Sequence, residues 1–114
     1  MTTMAATSKD GDDVALREIV RRLAAAYQPE RIYLFGSRAR GKAGPDSDYD
    51  LLVVVPEAAR PERRQSRLAY QALWGTGRGA DVLVWTRRAF ESRLHLRASL
   101  PATVVAEGRL LYGA

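Results

Sequence analysis

Two aspartates lie at the entrance of an apolar segment and could hold divalent cations. Asp48 and Asp50 are two positions apart and lead into residues 51–55, a run of Leu and Val that predicts a strand. Side chains at i and i+2 of a strand share a face, which places these carboxylates roughly 6.6 Å apart. That separation can bracket two cations about 3.5 to 4 Å from each other, so the spacing predicts a two-metal site.

An upstream stretch supplies groups that could contact phosphate. Gly36 ends the apolar run of residues 32–35, and Ser37 follows it. A glycine at this point allows backbone N–H groups and the serine hydroxyl to approach a phosphate closely. Three basic residues add positive charge beside them: Arg38, Arg40 and Lys42. Together with the acids, these groups indicate a site for a metal-bound nucleoside triphosphate.

The same residues have other interpretations. Asp and Ser are ordinary turn residues, and residues 46–50 follow a Gly-Pro pair. The stretch GSRARGKA lacks the Ser or Thr that a P-loop needs at Ala43, and the Gly-Pro pair after it would stop the P-loop helix. A calcium-binding EF-hand loop would require glycine where Leu51 stands. The Gly-Ser pair upstream favours the metal-nucleotide interpretation.

Asp81 could join the same site through the topology of the sheet. A predicted helix over about residues 62–74 separates the second strand from a third strand over residues 80–85. Such a crossover is right-handed and parallel, so Asp81 begins the third strand at the end of the sheet where the other acids begin the second. If the first strand, residues 32–35, is antiparallel to the second, the Gly-Ser pair arrives there too. Alternatively, Asp81 merely ends the glycine-rich turn before it.

The remaining elements complete a small α/β (α+β) domain, a mixed sheet with helices packed on it. Residues 1–11 are polar and unpatterned, so we expect a disordered N-terminus followed by one domain over residues 12–114. The other predicted elements are a first helix capped by Asp12 or Asp13 and ended by Pro29, a helix capped by Thr86 with Phe90, Leu94 and Ala98 on one face, a last helix opened by Ser99 and Pro101 and stopped by Gly108, and an edge strand over residues 109–112.

The composition is typical of a soluble domain with a basic surface. The 114 residues contain no cysteine, which excludes disulfides and thiolate metal sites. No apolar run approaches the roughly 20 residues of a membrane span, and no secretory signal is apparent, so we expect a cytoplasmic protein. The net charge of +5 favours polyanionic partners. Nucleic-acid binding rests on this charge alone, because no aromatic residues alternate with the arginines; the alternative is a solvated arginine-rich surface.

The stretch LFGSRARGKAGPDSDYDLLVVV resembles the nucleotidyltransferase superfamily that includes DNA polymerase beta. It combines a Gly-Ser pair, a ten-residue spacer and Asp-x-Asp entering an apolar strand. More closely, it looks like the minimal nucleotidyltransferases (MNT), small antitoxin partners of HEPN-domain toxins. The resemblance implies a nucleotidyltransferase-like fold and a reaction that needs Mg²⁺, with two ions, and uses ATP or another nucleoside triphosphate.

The resemblance also implies an acceptor and a partner. The reaction would transfer AMP to a hydroxyl, a tyrosine of a HEPN toxin, within a hetero-oligomer. The metal ligands and catalytic residues would be Asp48, Asp50 and Asp81, and the nucleotide contacts would be Gly36, Ser37, Arg38 and Arg40. The alternative function is that of a non-catalytic antitoxin, a binding module that neutralises its partner by occlusion.

Overall fold

Four strands form one mixed sheet in the computed structural model, which describes residues 10–41, 44, 48–77 and 79–113, with the backbone alone for residues 10–13. The strands are β1 (Arg31–Phe35), β2 (Tyr49–Val55), β3 (Ala80–Thr86) and β4 (Arg109–Tyr112). Their order is β3-β2-β1-β4, in which β1 is antiparallel to both β2 and β4, and β2 is parallel to β3. The predicted mixed sheet, its strand directions and its last edge strand are confirmed.

Helices cover both faces of this sheet. They are α1 (Asp10–Tyr27), α2 (Gly36–Ala39), α3 (Arg67–Ala72), α4 (Arg87–Glu91) and α5 (Leu100–Glu107), with a 3-10 helix at Pro61–Arg64. Residues of α1 and α3 pack in one hydrophobic cluster, and residues of α4 and α5 pack in a second. Across the described ranges, no helix is both long and apolar enough to cross a membrane.

The central strand β2 is apolar because both of its faces are buried. Leu51, Val53 and Val55 pack in the cluster of α1 and α3, whereas Leu52 and Val54 pack in the cluster of α4 and α5. A strand covered on both sides carries a continuous apolar run rather than alternation. Residues 51–55 are all at most 2% exposed. This burial fixes the strand whose first residues carry the acids.

Two predicted caps are confirmed, at the helices that cover the second face. Thr86 Oγ1 accepts a hydrogen bond from the Ala89 backbone N at 3.2 Å and begins α4. Ser99 Oγ does the same for Ala102 at 3.3 Å and begins α5, which Gly108 follows. These side chains satisfy N–H groups that a helix start leaves without intrahelical partners.

Two helices have boundaries that differ from the predicted ones. The first helix begins at Asp10, before the expected caps, and residues 1–9 of the expected disordered N-terminus lie outside the described residues. The helix predicted over residues 62–74 is split between the 3-10 helix and α3. The split places the extended Gln65 where its carbonyl accepts a 2.5 Å hydrogen bond from the buried hydroxyl of Tyr27.

The helix after β3 is shorter than predicted. It ends at Glu91, so Leu94 and Ala98 do not extend the apolar face begun by Phe90. Phe90 is buried and stacks on Tyr33 with ring centroids 5.6 Å apart, whereas Leu94 is 39% exposed. The helix therefore ends one residue after Phe90, its buried contact with the sheet.

We expect the stability of the sheet to depend on the packing of β2. Leu52 is fully buried, and its register partner on β3, Leu83, is 40% exposed. Leu52→Ala should lower the free energy of unfolding by about 2 to 5 kcal/mol, since it leaves a cavity between sheet and helices. Leu83→Ala, the matched control, should cost about 1 kcal/mol or less. Urea denaturation measures both, and equal losses would contradict this account of the core.

Candidate active site

Three strands bring candidate residues to one end of the sheet. Asp50 of β2 is the register partner of Phe35 on β1 and of Asp81 on β3. Gly36 directly follows Phe35, and Asp48 directly precedes β2. Because β1 is antiparallel to β2 while β3 is parallel to it, all of these residues lie at the same edge of the sheet, the one formed by strand ends. The predicted convergence of the strand ends is therefore confirmed.

The carboxylates at this edge influence one another. Asp48 and Asp81 are exposed, and Asp50 is half-buried. Burial first, and then the negative charges of Asp81 and Asp48, raise the pKa of the Asp50 carboxyl above its ordinary value; Arg40 opposes the shift. A cation at this edge would relieve the repulsion, because an opposite charge favours the ionised carboxylate.

Gly36 faces the Asp50 carboxylate directly. Its φ is +75°, in the left-handed region, and a Cβ placed on it would lie 3.1 Å from Asp50 Cγ and even closer to one carboxylate oxygen. A side chain at this position would therefore displace the acid. The sequence suggested a glycine here for the approach of phosphate, and the structure adds the contact with Asp50 as a second requirement.

The Gly-Ser pair begins a helical turn instead of an open loop. Gly36 and Ser37 are the first residues of α2, and Phe35 at its N-cap provides no side-chain hydrogen bond to the turn. Ser37 is half-buried. Lys42, Asp46 and Ser47, which complete the predicted basic loop and turn, lie outside the described residues.

The two arginines predicted to contact phosphate differ in their surroundings. The Arg38 guanidinium lies over the ring of Tyr49, 4.2 Å from its centroid, in a cation–π contact. Arg40 is exposed at the end of α2, and its charge acts on Asp50. Arg40 is therefore a source of positive charge for the acids.

Oxygen donors make this edge suitable for Mg²⁺. That ion prefers oxygen ligands and is commonly held by one or two carboxylates with water and substrate phosphates. Within residues 10–41, 44, 48–77 and 79–113, no group of three His, Cys, Asp or Glu side chains is arranged to hold a metal ion. The three aspartates share an edge without forming a ready-made three-ligand cluster, as mutual repulsion would favour.

A cavity of about 450 Å³ opens beside Asp48 and Asp81. Two aromatic side chains on its wall are largely exposed, Tyr70 at 66% and Trp74 at 85%. Neither was predicted to be functional, because aromatic residues do not alternate with the arginines. Their spacing of four residues was the available signal, since residues at i and i+4 lie on one side of a helical turn.

Several arginines of the basic second half make contacts within the chain. Arg64 donates hydrogen bonds to the carbonyls of Glu57 and Ala59, both at 2.9 Å. Arg93 lies over the ring of Trp85, 5.5 Å from its centroid. Part of the basic surface is therefore structural.

Comparisons with known proteins agree with this geometry. The mixed sheet with carboxylates and a Gly-Ser turn at one edge defines a nucleotidyltransferase-like fold. Residues 16–110 match the family model of the nucleotidyltransferase domain, and the chain belongs to that family. No curated protein matches the chain.

Solved structures share the fold over most of the chain. A toxin-antitoxin with AMP-PNP aligns with a TM-score of 0.60 and 25% identity, over 86% of this chain and 73% of that one. A Sulfolobus solfataricus protein assigned as a nucleotidyltransferase gives 0.57 and 23%, over 94% and 90%. A mutant of the toxin-antitoxin MntA-HpeT gives 0.58 and 22%, over 86% and 73%. The last two likenesses show the fold alone.

We expect Gly36→Ala to impair nucleotide binding more than an equivalent change nearby. Gly41 is a matched control, because its φ is +72° and a Cβ there would meet no atom of the described residues within 4 Å. Both substitutions should destabilise the chain by roughly 1 to 2 kcal/mol through backbone strain. Calorimetric titration with Mg²⁺ and a non-hydrolysable ATP analogue should show at least about tenfold weaker binding for Gly36→Ala alone. Equal affinities in the two variants would contradict the contact between Gly36 and Asp50.

A second prediction concerns pH. A carboxyl whose pKa is raised on folding holds its proton more tightly in the folded chain, so stability falls as pH rises from the ordinary value of 3.8 through the raised one. That penalty is therefore felt above the ordinary value, on the neutral side of the titration. Asp50→Asn should therefore raise the Tm at pH 7 in EDTA, and the advantage should vanish below about pH 3. Glu91→Gln, an exposed change on α4 at the opposite end of the sheet, is the control; a lowered Tm for Asp50→Asn would contradict the repulsion.

Proposed function

We propose that this chain transfers AMP from ATP to a hydroxyl of a partner protein. One observation carries the proposal: Asp50 lies in register with Asp81 on one side and beside Gly36 on the other, at the end of a sheet that belongs to the nucleotidyltransferase family. Carboxylates, a close-approach glycine and a serine are the groups that phosphoryl transfer requires, because catalysis there is mostly positioning and charge stabilisation.

Each candidate residue has a part in this reaction. Asp48 and Asp50, with Asp81 beside them, would hold Mg²⁺. Two ions would bind, as the resemblance to the nucleotidyltransferase superfamily implies. When bound, Mg²⁺ would neutralise the phosphates and the charge that develops during transfer. Gly36 and Ser37 would hold the terminal phosphates, and Arg40 would add a positive charge next to them. Asp81, exposed at the start of β3, would take the proton of the attacking hydroxyl.

ATP is proposed as the nucleotide because of the structural relative that contains AMP-PNP, an ATP analogue. The same relative is a toxin-antitoxin, which supports a protein partner and an antitoxin role for this chain. The resemblance to minimal nucleotidyltransferases adds that the partner is a HEPN toxin and the acceptor one of its tyrosines. Exposed arginines are candidate docking charges whose contribution would weaken with salt: Arg60, Arg67, Arg88 and Arg97.

A non-catalytic antitoxin is the second candidate function. The likeness to a toxin-antitoxin supports an antitoxin role for this chain with or without catalysis. Such a chain would neutralise its partner by covering it. The two functions differ in whether suppression of the toxin needs the acids.

The test is the mass of a co-expressed partner toxin. With the wild-type chain, intact-mass spectrometry should show the partner carrying an added AMP; with Asp48→Asn or Asp50→Asn, the transfer rate should fall at least about 100-fold, because several kcal/mol of charge stabilisation are lost. Glu91→Gln should transfer normally. An unmodified partner whose toxicity is still suppressed by the wild type would establish occlusion instead.

A further inference from the structure

The cavity beside Asp48 and Asp81 has aromatic and apolar walls next to a charged rim. Tyr70, Leu73 and Trp74 line the wall formed by α3 and the turn after it, and Val82 of β3 lines another part. We propose that this cavity is the acceptor site and that it takes the flat ring of a tyrosine side chain from the partner protein. This inference rests on the proposed function and names the subsite where the acceptor binds.

The order of the strands supports this position. Gly36 directly follows β1, Asp50 is on β2, and Asp81 is on β3, the edge strand next to the cavity. Neighbouring strands are about 4.8 Å apart, so Gly36 and Asp81 are separated by roughly 10 Å across the edge. In phosphoryl transfer the attacking and leaving oxygens are approximately in line through phosphorus. With the terminal phosphates at Gly36, the attacking hydroxyl lies on the side of Asp81 and the cavity.

The proposed reaction is balanced with the groups already named. The tyrosine oxygen forms a bond to the α-phosphorus of ATP, and the bond from that phosphorus to the oxygen bridging to the β-phosphate breaks. The products are an AMP-tyrosine phosphodiester and pyrophosphate. The phenol proton passes to the carboxylate of Asp81, which lines the cavity. Tyrosine fits this side because its ring can pack on aromatic walls while its hydroxyl points to the acids.

Hydrogen bonds from α1 hold the backbone of the cavity wall that carries Trp74. Arg22 of α1 donates a 2.8 Å hydrogen bond to the carbonyl of Trp74 and a 3.3 Å bond to that of Ala72. Glu18 in turn holds the Arg22 guanidinium through a 2.7 Å ion pair. The backbone of the wall is therefore fixed while the indole ring remains 85% exposed. An exposed aromatic ring on an anchored backbone is available for stacking with a second ring.

The test separates acceptor binding from catalysis. Titration of the wild-type chain with N-acetyl-tyrosinamide, in the presence of Mg²⁺ and AMP-PNP, should shift the NMR signal of the Trp74 indole N–H. Trp74→Ala and Tyr70→Ala should each weaken this binding about tenfold, as loss of one stacked ring does, and Trp74→Phe should retain most of it. Tyr112→Ala, an exposed change at the far end of the opposite edge strand, should have no effect.

Kinetic measurements with the partner protein should also distinguish acceptor binding from nucleotide binding. Trp74→Ala should raise the KM for the partner at least about fivefold and leave the KM for ATP unchanged. The proposal is overturned if AMP-PNP alone produces the Trp74 shift and Trp74→Ala weakens ATP binding, because the cavity would then hold the nucleobase. It is also overturned if neither probe shifts Trp74. A tyrosinamide-dependent shift without any transfer would support the acceptor site and reject the proposed catalysis.

Discussion

The parallel pairing of β2 with β3 places two like charges side by side at an edge of the sheet. Asp50 and Asp81 are register partners, and Asp48 is close enough to add to their repulsion. Stability alone would not select this arrangement, since like charges on paired strands are destabilising. In the proposed function, a bound cation would offset this repulsion, because the same oxygens would become its ligands. The site would then lose stability without the cation in exchange for chemistry with it.

The rest of the fold can be understood as the support for this edge. The strand that carries Asp50 is buried on both faces, with helices on each side, so its first residues are held by the packing of those that follow. The backbone N–H of Tyr49 also donates to the Gly79 carbonyl at 3.1 Å, which joins the start of β2 to the turn before β3. The acids therefore project from a rigid strand end, as a preorganised site requires.

Sequence patterns predicted the parts of the fold that depend on simple physical rules. The apolar runs predicted the strands, the strand-helix-strand order predicted the parallel pair, and side-chain chemistry predicted the Thr86 and Ser99 caps. Local patterns failed where contacts between distant residues accompany the change. The break at Gln65 coincides with a hydrogen bond from the hydroxyl of Tyr27, which comes from another helix. Likewise, periodicity did not show that α4 ends at Glu91, directly after the buried Phe90.

The sequence predicted the candidate residues of the site but not the contacts between their side chains. The Asp-x-Asp pair and the Gly-Ser turn are visible in the chain, and the topology argument added Asp81. The stacking of Arg38 on Tyr49 could not be predicted from the sequence, because a side chain on one element can contact any of several residues on the next. The cavity with Tyr70 and Trp74 also required the structure, since its walls come from separate parts of the chain.

Each of the two acids on the β2 side faces a glycine from another element. Asp50 lies against Gly36, and Asp48 lies against Gly79, where an added Cβ would be 2.9 Å from Asp48 Cγ. A side chain added at either glycine would therefore displace the acid that it faces. In a lineage without the proposed catalysis, loss of Asp48 would remove the steric demand on Gly79, and larger residues would accumulate there by drift. Gly36 would still be favoured by its left-handed backbone, so Gly79 is the position whose change would mark the loss of the proposed reaction.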